Sequence, residues 1–310
     1  MNKIAPKLGG FAALLAVVFG GALALGAAAG PAVGAPFEAP PQMEAGHEMT
    51  AGGTGEPEQG EGHQDGVPGG LAVSQDGYTF APINTVLDAG REQTFRFAIA
   101  GPDGRPVRDY TEEHDKELHL IVVRRDLSGF QHVHPTRDAD GVWSIPLTLA
   151  AAGDYRAFAD FAPAGDEGLA LGVDLRVAGD YDPRPLTAPE RTTEVDGYTV
   201  ELAGDLAAGT SSELTLTVSR GGEPVSDLDP YLGAYGHLVA LRDGDLAYLH
   251  VHPHGEPGDG VTTAGPAVAF AADVPTDGTY RLYLDFSHGG VVRTAEFTVT
   301  TTGGHSYEDQ

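Results

Sequence analysis

Two stretches of the chain repeat each other, and this repetition constrains the fold more than any other feature. Residues 119–135 read HLIVVRRDLSGFQHVHP, and residues 237–253 read HLVALRDGDLAYLHVHP. Each stretch begins with a histidine on an apolar run, is interrupted by a short polar turn, and ends in His-Val-His-Pro. The histidines recur while most side chains between them differ, so the repetition is the strongest functional signal in the sequence.

The similarity extends beyond these stretches to nearly a whole domain. DGYT occurs at 76–79 and again at 196–199, and YRAFADF at 155–161 corresponds to YRLYLDF at 280–286. The period is far above that of solenoid repeats. The chain is therefore predicted to contain a tandem duplication of one domain.

Each copy consists of short apolar runs separated by turn residues, which predicts strands rather than helices. In the first copy, runs such as 94–100, 118–123 and 142–149 are separated by Gly-Pro-Asp-Gly and Asp-Ala-Asp-Gly turns. About seven such strands per copy, with no segment of helical periodicity, are typical of an immunoglobulin-like β-sandwich. The predicted fold class is all-β, with two tandem immunoglobulin-like β-sandwiches after an N-terminal transmembrane or signal helix.

Composition divides the chain into six predicted segments. They are a signal anchor or signal peptide (1–35), a disordered linker (36–70), the first sandwich (71–180), a proline-rich linker (181–191), the second sandwich (192–302) and a loose tail (303–310).

The N-terminal segment predicts where the protein works. Its apolar run from Phe11 to Leu25 follows Lys3 and Lys7, and residues 8–35 carry no charge. The uncharged stretch 8–35 is longer than the roughly 7–15-residue core of a signal peptide and long enough to contain the roughly 20 residues that span a bilayer. We expect an uncleaved single-pass anchor in the cytoplasmic membrane, with the body outside the cytoplasm. The alternative is cleavage by signal peptidase and secretion.

Charge and cysteine content exclude several classes of function. The formal net charge of −27 repels nucleic acid, so no nucleic-acid partner is expected. The chain has no cysteine, which excludes disulfides, thiolate metal sites, iron–sulfur clusters and blue-copper centres. A metal ion held by the body of the protein must therefore be bound by imidazole, carboxylate or backbone oxygen.

The recurring histidines have the spacing of metal ligands. His132 and His134 point to the same face of a strand because side chains alternate along it. The preceding hairpin pattern places His119 on the neighbouring strand, where Cβ atoms of opposed residues lie about 4.5–5.5 Å apart. Three imidazoles from two adjacent strands form one face of a tetrahedral or tetragonal site. A second such site is predicted from the equivalent residues His237, His250 and His252, and the alternative for both triads is a structural role in the hairpin.

Further ligands are predicted around these triads. Asp160 and Asp285 recur in the YRxxxDF motif, and the alternative for each is an ion pair with Arg156 or Arg281. The second copy adds two more candidate ligands, His254 and His288.

The layout resembles exported, membrane-anchored actinobacterial proteins with tandem immunoglobulin-like domains that are loosely associated with heavy-metal, mainly copper, handling. The phrase GxPV…H…HVHP…GxYRxxxDF is also similar to small bacterial extracytoplasmic β-sandwiches that handle copper. The resemblance covers residues 70–300 in outline and implies an association with copper handling, without a mechanism.

The expected function is extracytoplasmic metal binding, in which copper or zinc is buffered, delivered or sensed. The expected partners are the metal ion and a protein of the cell envelope. The alternative is a structural or adhesive envelope module without metal. No enzyme is expected, because the sequence contains no GxSxG, HExxH, phosphate-loop or dinucleotide-binding motif.

Overall fold

The computed structural model describes residues 67–302. Within this range every regular element is a β-strand, and no helix there is long and apolar enough to cross a bilayer. The predicted signal anchor, nearly all of the predicted linker 36–70 and the predicted tail lie outside the described residues.

The strands of the first copy are β1 (Ser74–Gln75), β2 (Tyr78–Pro82), β3 (Val86–Asp88), β4 (Glu92–Ala100), β5 (Tyr110–Thr111), β6 (Leu118–Arg124), β7 (Gln131–Val133), β8 (Thr136–Arg137), β9 (Val142–Thr148), β10 (Gly153–Pro163) and β11 (Leu169–Ala178). Those of the second copy are β12 (Thr192–Val195), β13 (Tyr198–Ala203), β14 (Thr210–Arg220), β15 (Glu223–Pro224), β16 (His237–Arg242), β17 (Tyr248–Leu249), β18 (Val251–Pro253), β19 (Ala267–Val274), β20 (Thr279–His288) and β21 (Val291–Thr300).

The first copy folds into two sheets with the order β1-β2-β4-β9-β8 and β3-β11-β10-β6-β7, and β5 pairs with β10. The second copy has the orders β12-β13-β14-β19-β18, with β15 on β14, and β17-β16-β20-β21. In each copy one sheet corresponds to the A, B, E and D strands of an immunoglobulin sandwich and the other to the C, F and G strands. The prediction of two tandem immunoglobulin-like sandwiches is confirmed for the described residues.

A tyrosine corner supports this assignment in both copies. Tyr155, at the start of β10, donates its hydroxyl proton to the carbonyl oxygen of Ala151 at 2.8 Å. Tyr280, at the start of β20, donates to the carbonyl oxygen of Thr276 at 2.7 Å. A tyrosine that binds the backbone a few residues upstream, at the start of the F strand, is characteristic of immunoglobulin-type sandwiches.

Strand β6 is buried along its whole length because both of its faces are covered. Leu120 and Val122 point into the core of the first sandwich. Ile121 and Val123 point the other way, into a separate apolar cluster that includes Val239 and other side chains of the second sandwich. The two sandwiches therefore pack sheet against sheet through β6 and β10 on one side and β16 and β20 on the other.

Equivalent positions of the two copies meet in this interface. Phe130 of the first copy stacks on Tyr283 of the second, with ring centroids 3.9 Å apart and an interplanar angle of 7°. The corresponding pair, Tyr248 and Phe158, has a centroid separation of 5.7 Å. The same patch of each copy thus contributes to the contact, as in a two-fold symmetric dimer interface.

The chain entering the first sandwich also runs along this interface. The amide of Gly70 donates to the carbonyl oxygen of Ala170 at 2.7 Å, and the amide of Tyr248 donates to Gly69 at 2.9 Å. The guanidinium of Arg156 donates to the carbonyl oxygen of Gly70 at 2.7 and 2.9 Å. Gly70 has φ +73°, and a Cβ atom there would come within 2.5 Å of the Phe158 ring, so this close approach requires glycine.

Candidate metal centre

The alternation of side chains places the functional residues of both copies on the face that lies between the sandwiches. On β6, His119 points to the same face as Ile121, which contacts the second sandwich. On β16, His237 points to the same face as Val239. Asp160 lies directly opposite His119 on β10, and Asp285 lies opposite His237 on β20. Four polar residues therefore continue the apolar interface at one end.

The first predicted triad is brought together in the structure. Strand β7 pairs with β6 so that Val133 lies opposite Leu120, which places His132 and His134 beside His119. The Nδ1 atom of His119 lies 3.0 Å from Nε2 of His132 and 3.2 Å from Nε2 of His134. Three imidazole nitrogens thus face one another.

Two of these imidazoles are oriented by acceptors on their outer nitrogens. Nε2 of His119 lies 3.0 Å from the carbonyl oxygen of Glu113, and Nδ1 of His132 lies 2.8 Å from Oδ2 of Asp285. A carbonyl and a carboxylate only accept, so each outer nitrogen carries a proton, and a ring with a single proton presents a lone pair at its inner nitrogen. The hydroxyl of Thr294 donates to Oδ1 of Asp285 at 2.6 Å and fixes the carboxylate.

Burial lowers the pKa values of three histidines in this region, His119, His134 and His237. Burial lowers the pKa of His119 to about 4, although the Glu113 carbonyl opposes this shift. Burial, reinforced by His132 and His119, lowers the pKa of His134 to about 3. Burial also lowers the pKa of His237 well below the ordinary value. Neutral imidazole is the form that binds metal ions.

The second sandwich completes the arrangement, which we call the interface cluster: His119, His132, His134, His237 and Asp285. The His237 ring stacks on His119 with centroids 5.4 Å apart and an interplanar angle of 12°, and it lies 4.5 Å from the ring of His132. Nδ1 of His237 is buried without a hydrogen-bond partner. Ligand atoms of His132, His237 and Asp285 all lie within 4.8 Å of one another, as do those of the first triad.

The second predicted triad has a different arrangement. His250 and His252 are exposed, with ring centroids 4.2 Å apart. Among residues 67–302, they do not join His237 in a group whose ligand atoms all lie within 4.8 Å. The cause is the path of the backbone: β17 ends at Leu249, and the next strand, β18, pairs with β19 of the opposite sheet. In the first copy the crossing to β9 begins only with Thr136, after the His-Val-His segment.

A small cavity lies beside the interface cluster. Its volume is about 30 Å³, and it is lined by His114, His119, Asp160, His237, His250 and neighbouring residues. The ring of His114 lies 6.1 Å from His119 and 5.7 Å from His237. Because His114 occurs only in the first copy, the duplication gave no signal for it.

Asp160 does not form the ion pair considered from sequence. It accepts a hydrogen bond from the hydroxyl of Tyr248 at 3.0 Å. Arg156 binds Asp174 at 2.8 Å instead. In the second copy Arg281 pairs with Glu296.

His254 and His288 lie outside the interface cluster. Nε2 of His254 is 3.1 Å from a carboxylate oxygen of Glu213. Nε2 of His288 is 3.1 Å from Asp227, and its Nδ1 is 2.7 Å from the hydroxyl of Tyr198. The charge and hydrogen-bond partners of both are thus local to the second sandwich.

Fold and site together define a class of protein, namely tandem immunoglobulin-like sandwiches with a histidine cluster between them. The chain belongs to the family described as a domain of unknown function (DUF8832), whose model matches residues 72–177 and again residues 193–303. None of the curated proteins compared with the chain matches its sequence.

Several solved structures share some structural likeness with the chain at low sequence identity. The Escherichia coli adhesin FdeC is 15% identical, with 75% of this chain and 66% of that chain covered and a TM-score of 0.24. Invasin, a bacterial integrin-binding protein, is 16% identical, with 73% and 39% covered and a TM-score of 0.22. Salmonella α2-macroglobulin is 15% identical, with 75% and 15% covered and a TM-score of 0.27. The chain spans less than two thirds of the length of each of these structures.

Proposed function

We propose that the interface cluster binds a copper or zinc ion and that the chain is an extracytoplasmic metal-binding protein. The observation that carries the proposal is the convergence of three imidazole nitrogens, in which Nδ1 of His119 lies 3.0 Å from Nε2 of His132 and 3.2 Å from Nε2 of His134. Without an ion, two lone pairs face each other at the shorter of these distances. An ion at their centre replaces this repulsion with coordination.

The donor set and its geometry fit these metals. Nitrogens 3.0 and 3.2 Å apart subtend about 95–105° at an ion about 2.0–2.1 Å from each, between the tetragonal and tetrahedral values. Imidazole suits zinc and divalent copper, whereas monovalent copper prefers sulfur ligands. The Glu113 carbonyl and the Asp285 carboxylate act on the outer nitrogens as the orienting partners that metal-bound histidines usually have.

The cellular role in this proposal is to buffer, deliver or sense the metal outside the cytoplasm. The N-terminal apolar run supports an anchor in the cytoplasmic membrane, and the net charge of −27 raises the concentration of cations near the surface. An envelope protein would receive or supply the ion. The cavity beside the cluster is small, with a volume of about 30 Å³, so the proposal assigns no organic substrate and no catalysis.

Metal content and affinity test the proposal. The full-length chain, purified in detergent without a histidine tag, would be analysed for bound elements and titrated with Zn²⁺ and Cu²⁺ against a competing chelator. We expect His134→Ala to weaken binding strongly and His254→Ala, a histidine outside the cluster, to leave it unchanged. Equal affinities of the two variants would contradict the assignment.

A structural or adhesive envelope module is the second candidate, and the apolar interface favours it. Ile121, Val123, Val239 and Tyr283 join the sandwiches without any contribution from the histidines. A rigid pair of sandwiches serves as a spacer whether or not an ion is bound. This candidate predicts no bound metal after purification and the same melting temperature with and without chelator.

A further inference from the structure

We propose that the interface cluster holds two ions, with the imidazole ring of His132 bridging them. This inference rests on the proposed function, because the first ion is the one bound by His119, His132 and His134. The second ion would be bound by His132, His237 and Asp285, whose ligand atoms lie within 4.8 Å of one another.

The two nitrogens of His132 serve the two positions. Nε2 faces Nδ1 of His119 at 3.0 Å, whereas Nδ1 faces Oδ2 of Asp285 at 2.8 Å. Ligand atoms 2.8 Å apart subtend about 85–90° at an ion about 2.0–2.1 Å from both, a normal angle for a tetragonal site. Because the side chain of His132 is only 1% exposed, both of its ring nitrogens are enclosed by protein.

His237 supplies an independent observation. Its relative exposure is 9%, and its Nδ1 atom is buried without a hydrogen-bond partner. Buried polar atoms nearly always have a hydrogen-bond partner, so one without a partner calls for an explanation, and a bound ion is among the usual ones. The ring lies 4.5 Å from that of His132, and an ion between His132, His237 and Asp285 accounts for this nitrogen as a ligand.

The second ion replaces a proton. In the first state the Nδ1–H bond of His132 donates to Asp285. When the second ion binds, that N–H bond breaks, a nitrogen–metal bond forms, and the proton passes to the buffer, which leaves an imidazolate between two divalent ions. No electron is transferred. The carboxylate of Asp285 stays in place because Thr294 donates to its other oxygen.

The two ions differ in what they connect. All protein ligands of the first ion come from the first sandwich, whereas His237 and Asp285 belong to the second. The second ion therefore links the two sandwiches through coordination bonds, in addition to the apolar contacts that already join them.

Stoichiometry and spectroscopy test the bridge on the full-length chain in detergent. With Cu²⁺ as the probe, we expect two ions per chain in the wild type and one in His237→Asn or Asp285→Asn. Calorimetric titration in two buffers of different ionisation enthalpy should reveal one additional proton released with the second ion. Electron paramagnetic resonance of the copper-loaded wild type should give less signal than its copper content, because bridged ions couple magnetically, and His237→Asn should restore the full signal of one isolated ion.

The outcomes separate this inference from the proposed function. One ion per chain in the wild type, with a full uncoupled signal, overturns the bridge and leaves the first site standing. No bound ion overturns both. The spectrum of the wild type decides the question even where a variant fails to fold.

Discussion

The two His-Val-His segments have the same sequence but follow different backbone paths. In the first copy, His132 stays in the sheet with β6 and reaches Asp285 of the other sandwich. In the second copy the strand ends at Leu249, and His250 begins the crossing to the opposite sheet. One duplicated motif therefore builds one composite cluster between the sandwiches, rather than one site in each.

The side chains that flank each motif also give the two equivalent carboxylates different partners. Tyr248 of the second copy donates its hydroxyl proton to Asp160, so this carboxylate already has a hydrogen-bond partner. The equivalent residue in the first copy is Phe130, which has no hydroxyl and leaves Asp285 available to His132. The cross-strand neighbour of Asp285 is Thr294, whereas that of Asp160 is Ala170. The two equivalent carboxylates thus have different partners, His132 for Asp285 and Tyr248 for Asp160.

The largest expected effect separates His132 from its counterpart His250. His132→Ala removes a ligand, which should cost more than the 10–100-fold loss typical of an orienting partner, and we expect about 1,000-fold, or about 4 kcal/mol, in affinity for the first ion. His250→Ala should change that affinity by less than about threefold, since it removes no ligand of the cluster. Competitive titration with Zn²⁺ measures both, and similar losses in the two variants would restore the picture of two equivalent sites.

The next effect concerns acid and the metal-free protein. The folded-state pKa of His119 is lowered from 6.5 to about 4, so between these values the unfolded chain binds a proton that the folded chain does not. Stability is therefore lost as the pH falls from about 6.5 to about 4, and this residue alone contributes about 3 kcal/mol of that loss. His134, with its pKa lowered to about 3, acts in the same direction over a wider range.

Urea unfolding of chelator-treated protein between pH 7 and pH 4 measures this dependence. His119→Gln should flatten the decline relative to the wild type, whereas His254→Ala, at an exposed site, should not. If the free energy of unfolding declined with equal slope in the wild type and His119→Gln, the imidazole of His119 would not be buried in its neutral form in solution.

A smaller effect tests the interface side of the comparison. Tyr248→Phe makes the second copy match the first at this position and leaves the buried side of Asp160 without its donor. Loss of one partner of a buried hydrogen bond costs about 1–3 kcal/mol, and we expect a decrease of about 2 kcal/mol in the free energy of unfolding. Metal affinity should remain within about twofold, since Asp160 is not in the interface cluster. A large loss of affinity would instead make Asp160 part of the metal centre.

Much of the fold could be predicted from the sequence, because local chemistry determines it. Alternating apolar runs and Gly-Asp turns are sufficient for the sandwiches, and the hairpin between His119 and His132 has the same register in both copies. The exit of the strand at His250 could not be predicted, because it depends on packing across the sandwich, where Leu249 is buried in the second core. The contact of His132 with Asp285 spans the two sandwiches, and no local pattern encodes their relative placement.

The smallest expected effect concerns the residue behind the carboxylate. Thr294→Ala gives Asp285 the same cross-strand neighbour as Asp160 and removes the hydroxyl that donates to its Oδ1 atom at 2.6 Å. The carboxylate keeps its contact with His132 but gains rotational freedom, so the imidazole is held less firmly. Orienting partners of metal-bound histidines are worth about 10–100-fold in affinity, and a group one step further out should be worth about three- to tenfold. Titration with Zn²⁺ measures the change, and Thr298→Ala on the same strand is the matched control. An unchanged affinity in Thr294→Ala would mean that Asp285 is fixed by packing alone, and that the two carboxylates differ only through Tyr248 and Phe130.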